Sequence, residues 1–283
     1  MISKLSLGRL TVAVEQVGTG PSLCLIHGLG SSGADWAFQV RDLKPHFRLI
    51  LPDLRGSGRS DAPLGPYSIP QFAQDMWDLL DALGEREVGL LGFSLGGAVA
   101  LEMALMRPHA VTRLMTINSL PSYRVNTLAK VLEVYGQQLA VRSFGLERVA
   151  RMVSARLFPE PHQHAMRQRV VDVLGGLPVK PYLHSARALS GWCALKRLDA
   201  LKTPLPLLML AAEYDYTPLA EKLKFAARLR APVCVIKGSR HGTPFDAILA
   251  VNRLALEWFS GAQIDPRASY CADKPEEVPI APP

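Results

Sequence analysis

Residues 23–26, 47–51, 88–93, 114–117, 205–210 and 233–236 are nearly continuous apolar runs that stop at glycine, proline or a polar side chain. Runs this short, apolar on both faces, are what strands buried inside a parallel sheet look like. Residues 10–17 alternate enough for an earlier strand, closed by the turn sequence Gly18-Thr19-Gly20-Pro21. Between the runs the period turns helical. Residues 69–83 carry Phe72, Met76, Leu79, Leu80 and Leu83 on one side, and residues 95–106 are apolar nearly all round, which predicts a buried helix. Strand alternating with helix predicts an α/β fold with a mostly parallel, doubly wound sheet.

One region breaks the alternation. Residues 121–200 have helical composition and no clear strand, and are expected to form a helical cap inserted between two sheet strands. The core would then be residues 1–120 and 201–260. Tyr123, Tyr135, Phe144, Phe158, Tyr182 and Trp192 of this region either line a pocket or form the cap's own small core. Residues 261–283 are polar and proline-rich, and are expected to be disordered.

Charge sharpens this division. The 283-residue chain carries a net charge of +7. Twelve Lys or Arg and five acids fall between Pro121 and Ala200, so the cap holds an excess equal to that of the whole chain. Such a segment suits either a solvated helical face or an anionic partner. There is no run of consecutive basic residues and no nucleic-acid module, which sets nucleic acid aside. Hydrophobic residues at 48% and charged residues at 20% are ordinary for a globular enzyme. Cys24, Cys193, Cys234 and Cys271 include no C-x-x-C pair and suggest neither a zinc site nor a disulfide scaffold. The first residues lack a signal-like apolar stretch, and no run approaches the ~20 residues of a membrane span, so a cytoplasmic location is expected.

The chemistry begins at Gly92-Phe93-Ser94-Leu95-Gly96, a G-x-S-x-G motif standing between an apolar strand and an apolar helix. A serine on so sharp a turn projects its hydroxyl above the sheet edge. The helix that starts at Leu95 offers free N–H groups and a positive dipole end to a developing oxyanion. His27-Gly28-Leu29-Gly30 follows the first buried strand, and such a loop supplies a second oxyanion N–H, here assigned to Leu29.

With His27–Gly30, the stretch from Asp53 to Asp61, the elbow from Gly92 to Gly97, Asp215 before Thr217-Pro218, and His241, the chain resembles the α/β-hydrolase superfamily, in its lidded esterase and lactonase branch. These motifs run in the family's order over residues 10–259. The Asp53 to Asp61 stretch is similar to the family's D-x-R-G-x-G-x-S block, which shapes a structural turn and is assigned no catalytic role. Gly65-Pro66-Tyr67 resembles 3-oxoadipate enol-lactonases, too locally to fix a substrate. The resemblance implies an acid after a late strand and a histidine near the C-terminal end. Asp215 stands three residues before Pro218, as in the family, with Glu213 as the rival carboxylate. His241 follows the strand at 233–236, with Arg240 where glycine is usual.

The expected function is a serine hydrolase that cleaves a carboxylic ester, thioester or lactone through an acyl-enzyme. Ser94 is the nucleophile, His241 the base and Asp215 the orienting acid. No metal or organic cofactor is expected. The partner is a small acyl substrate, with an anionic acyl carrier a candidate for the basic cap. Pimeloyl-carrier methyl esterases of the same superfamily are similar in that respect. The same triad also serves cofactor-free lyases and acyl transferases, and the same fold serves low-turnover binding proteins.

Overall fold

A computed structural model describes residues 2–124, 128–201 and 205–274. The first half of the chain forms β1 (Ile2–Ser6), β2 (Thr11–Val17), β3 (Ser22–Ile26), α1 (Ala37–Leu43), β4 (Arg48–Pro52), α2 (Ile69–Ala82), β5 (Val88–Phe93), α3 (Leu95–Met106) and β6 (Val111–Ile117). Next come four helices, α4 (Leu128–Leu157), α5 (His164–Gly175), α6 (Val179–Ser190) and α7 (Leu195–Asp199). The chain closes with β7 (Leu207–Ala212), α8 (Leu219–Leu229), β8 (Val233–Lys237), α9 (Thr243–Asp246), α10 (Ile248–Phe259) and β9 (Tyr270–Cys271).

The strands lie in one sheet ordered β1-β2-β4-β3-β5-β6-β7-β8-β9. The β1–β2 and β2–β4 pairings are antiparallel; the pairings from β4 across to β9 are parallel. The apolar runs serve two cores at once. In β3, Cys24 and Ile26 face Phe72, Met76 and Trp77 of α2. Leu23 and Leu25 of the same strand face the layer of Trp36, Leu254 and Trp258. A strand that supplies both layers has no polar face, which is why its sequence does not alternate. Phe72 is fully buried in the first layer. Truncating it to alanine is expected to cost about 3–5 kcal/mol, read as a lower urea midpoint at unchanged slope.

The helices α4 to α7 stand between β6 and β7. Their ends are tied by a bridge between Ser122 and Cys193, and Trp192 donates its Nε1–H to buried Glu102 of α3 at 2.7 Å. Val141, Leu146, Val149, Leu174 and Tyr182 form a cluster of their own, against which Leu29 packs. Phe158 and Met166 instead reach down to Phe38 and Ile248. The aromatic residues thus divide. Phe158, Tyr182 and Trp192 are buried, while Tyr135 and Phe144 face solvent. The helix α4 is broken at Gly145 (φ 76°, ψ 166°), so Arg142 lies on a different helical segment from Arg148, Arg151 and Arg156.

The expected disorder after residue 260 is corrected for residues 261–274. Tyr270 and Cys271 pair with Ile236 and Lys237 of β8, and the Tyr270 ring is buried. Asp273 also accepts the N–H of Ile248 at 2.6 Å. A two-residue strand has no period to detect, and burial of one aromatic outweighs the polar composition around it. Residues 275–283 of that expectation lie outside the described residues.

Candidate active site

Ser94 sits between β5 and α3 with φ 53° and ψ −115°, a conformation that costs a non-glycine residue about 1–3 kcal/mol. Its surroundings enforce the turn. Ser94 donates its N–H to Ile117 of β6 at 2.9 Å, and its carbonyl accepts from Gly97 and Ala98. A Cβ on Gly92 would stand 2.4 Å from the Gly96 carbonyl oxygen, and one on Gly96 would stand 2.1 Å from that of Ile26. The two glycines of the motif are therefore required by close approach. As the first residue of α3, Leu95 has an N–H with no intrahelical acceptor. Leu29 lines a cleft together with Phe93 and Gly242, the chain neighbours of Ser94 and His241.

The buried His27 explains the loop that holds Leu29. Its Nδ1–H donates to Gly28 O at 2.8 Å, and its Nε2 accepts the Leu54 N–H at 3.0 Å. Burial lowers its basicity, against the opposing pull of Asp53, so the ring is a neutral strut. Asp53 in turn accepts the N–H groups of Gly33 and Arg59, both at 2.8 Å. That is a structural turn.

The three residues proposed for the triad meet. His241 Nε2 is 3.0 Å from Ser94 Oγ, and His241 Nδ1 is 2.8 Å from Asp215 Oδ1. Glu213 is placed elsewhere, with its carboxylate accepting the Gly238 N–H at 2.9 Å. Arg240, which stands where glycine is usual, turns outward, its guanidinium over the Tyr214 ring. The Asp215 side chain is fully buried. Burial pushes its carboxyl pKa up, but His241 and Lys222 outweigh this and hold it well below the usual carboxylate range.

Several residues of the site gave no sequence signal. Asn118, in the left-handed region at φ 48°, follows β6 and binds the histidine loop. Its Nδ2 donates to the carbonyl of His241 at 2.9 Å and to Thr243 Oγ1 at 2.7 Å. Its Oδ1 accepts from Ala212 N at 2.8 Å and Lys222 Nζ at 3.1 Å. Thr217 donates to Asp215 Oδ2 at 2.5 Å. The Tyr216 ring lies 4.0 Å from the His241 ring, tilted by 31°. Lys222 had a legible signal. It occupies an inward position of α8, four residues before buried Ala226, where an apolar residue is the rule.

Beside the Phe93–Ser94 elbow opens a cleft floored by Leu29 and Phe93 and roofed by Val153, Phe158, Val170 and Leu174. Its polar end is Asp35, paired with Arg169 of α5 at 2.7 Å. Among the described residues, no group of three His, Cys, Asp or Glu is arranged to hold a metal ion. No helix among them is long and apolar enough to cross a membrane.

The sequence model of the alpha/beta hydrolase fold matches residues 21–154. A pimeloyl-[acyl-carrier protein] methyl ester esterase of Vibrio vulnificus is 33% identical over 194 residues, which cover 67% of this chain and 72% of that protein. The chain belongs to the α/β-hydrolase family. An uncharacterized protein of Mycobacterium tuberculosis is 40% identical over 107 residues, 38% of this chain, so the match spans about a third (31%) of that relative's length. The crystal structure of a hydrolase from Pseudomonas aeruginosa superposes with a TM-score of 0.80 at 25% identity, covering 92% of this chain and 98% of the other. The elbow at Ser94 and the loop at His27 both lie within the stretch matched by the family model. Asp215 and His241 lie beyond it, and in this α/β-hydrolase chain geometry joins them to the elbow.

Proposed function

We propose that the chain is a carboxylic ester hydrolase working through a Ser94–His241–Asp215 triad. The observation that carries this is the unbroken relay of hydrogen bonds from Asp215 Oδ1 through the imidazole to Ser94 Oγ, at 2.8 and 3.0 Å. His241 Nε2 takes the Ser94 proton as Oγ attacks the carbonyl carbon. The oxyanion is met by the N–H groups of Leu29 and Leu95. The protonated imidazole then passes its proton to the leaving group, and water repeats the sequence on the acyl-enzyme. Asp215 keeps the proton on Nδ1, so that Nε2 is the base. The largely apolar cleft beside Ser94 suits an acyl chain better than a charged group. Release of p-nitrophenol from a series of short to medium acyl esters tests the reading. Well-folded protein that releases none across the series would move it to a lyase or a binding protein, and preferential transfer to added alcohols would move it to an acyl transferase.

The finer proposal is that the acyl group arrives on an anionic carrier. The exposed basic residues of α4, and the carrier-linked ester named for the Vibrio relative, support it. Arg142, Arg148, Arg151 and Arg156 are all exposed. Arg151 is partly committed to Glu147 at 2.6 Å, and Arg148 lies over the Phe144 ring. Arg148, Arg151 and Arg156 follow the break at Gly145, so they form the patch to test. KM for a carrier-linked ester is expected to rise steeply between low and moderate salt, while KM for a small neutral ester stays nearly flat, because screening over ~10 Å acts only on charged partners. The Arg148→Glu, Arg151→Glu double variant should raise the first KM alone. An equal salt response for the two substrates leaves the patch as solvated surface.

A further inference from the structure

The relay does not end at Asp215. Its Oδ1 receives the His241 Nδ1–H, and its Oδ2 receives the Thr217 hydroxyl and the Lys222 ammonium. The Lys222 side chain is 1% exposed, and the Asp215 side chain 0%. The ammonium is held from its other side by Asn118 Oδ1 at 3.1 Å, on the same Asn118 side chain that binds the histidine loop. A buried ion pair is seldom more stabilising than apolar residues of the same shape. A methionine would span this position without desolvating a charge, so packing alone does not account for a lysine here.

We propose that Lys222 is a positioning residue of the triad: its ammonium fixes the Asp215 carboxylate and offsets its negative charge, so that His241 is a weaker base than an uncompensated carboxylate would make it. This rests on the triad reading above. An imidazolium is stabilised by the anion beside it, and a cation on the far side of that anion takes part of the stabilisation away.

Other titratable and charged groups face this cluster. Tyr216 and Tyr123 act on it from the loops after β7 and β6, and Glu221 from α8 acts on Tyr123. Arg240 and Asp246 flank the histidine loop, joined by a backbone hydrogen bond at 3.0 Å. Lys222 is the lysine or arginine that touches Asp215 among the described residues.

The test is a titration of the His241 imidazole by NMR on the intact chain with labelled histidine, beside the acid limb of kcat/KM. Lys222→Met and Lys222→Gln should both move the His241 midpoint and the acid limb upward by about one pH unit. Lys222→Arg, which keeps the charge, should leave the midpoint near that of the parent. Lys222→Gln also keeps a hydrogen-bond donor for Asp215, so it carries the test if Lys222→Met does not fold. Midpoints that stay in place in both neutral variants would overturn the proposal and leave Lys222 as a strut. A midpoint that moves as far in Lys222→Arg as in Lys222→Gln would overturn it as well. The NMR titration needs no substrate. A chain that shows the shift and yet hydrolyses no ester would disprove the hydrolase reading while leaving the electrostatic one standing.

Discussion

Ser94→Ala is expected to lower kcat for ester hydrolysis by roughly 10³-fold or more while the protein stays folded. The deleted oxygen is the partner of His241 Nε2 at 3.0 Å. The elbow is held by backbone bonds to Ile117, Gly97 and Ala98, and alanine keeps all of them. The strain at φ 53° is common to serine and alanine, so the melting temperature should move by little. The N–H groups of Leu29 and Leu95 survive, and a residual rate above that in water is expected from them. A phosphonate ester that acylates serine hydrolases should add its mass to the Ser94 peptide of the parent and leave the variant unlabelled. A folded Ser94→Ala protein that turned over its preferred ester near the parent rate would remove Ser94 from the reaction.

The legible parts of this chain are those whose physics is local. The elbow could be read because its requirement is written within five residues: Gly92 and Gly96 allow two backbone approaches that any Cβ would block. The sheet could be read because two-sided burial leaves runs such as residues 88–93 without a polar face. The supports of the site are non-local. Asn118 joins the ends of β6 and β7 to the histidine loop and to Lys222, contacts between residues about a hundred positions apart. No spacing rule reveals such an asparagine. Tyr216 stands beside Asp215 in sequence, but its stacking on His241 depends on where a second loop arrives. Gly145 was hidden for a different reason: one glycine inside a helical pattern does not announce a break, although its φ of 76° places the cap arginines on separate segments. The segment at Tyr270 was misread because composition averages over residues, whereas the burial that orders it belongs to one ring.

Asp215→Asn should cost about 10³–10⁴-fold in kcat, because an amide in that place lets the imidazole adopt the wrong tautomer. Glu213→Gln is expected to change kcat by no more than about twofold, as a substitution away from the reacting groups. The glutamine keeps an oxygen for the Gly238 N–H that Glu213 now serves. This chain adds a second consequence to the first substitution. The Asp215 carboxylate is also the counter-ion of Lys222, whose side chain is 1% exposed. Removing one partner of a buried pair leaves the other uncompensated, at a cost on the order of 3–5 kcal/mol. Burial already lowers the Lys222 pKa, opposed by Asp215; without the carboxylate only the lowering influence remains. A lysine whose pKa is depressed in the fold destabilises it fully below the folded value, and the penalty fades as pH rises toward the unfolded value near ~10.4. The stability gap between parent and Asp215→Asn should therefore narrow from pH 7 to pH 9.5. In Asp215→Asn, Lys222→Met it should be small throughout, while turnover remains at the Asp215→Asn level or below. Urea unfolding of the three proteins at the two pH values separates the parts. Recovery of stability without recovery of rate assigns the loss of turnover to the tautomer of His241. A double variant that regained both would make Asp215 a structural counter-ion and return the orienting role to another carboxylate.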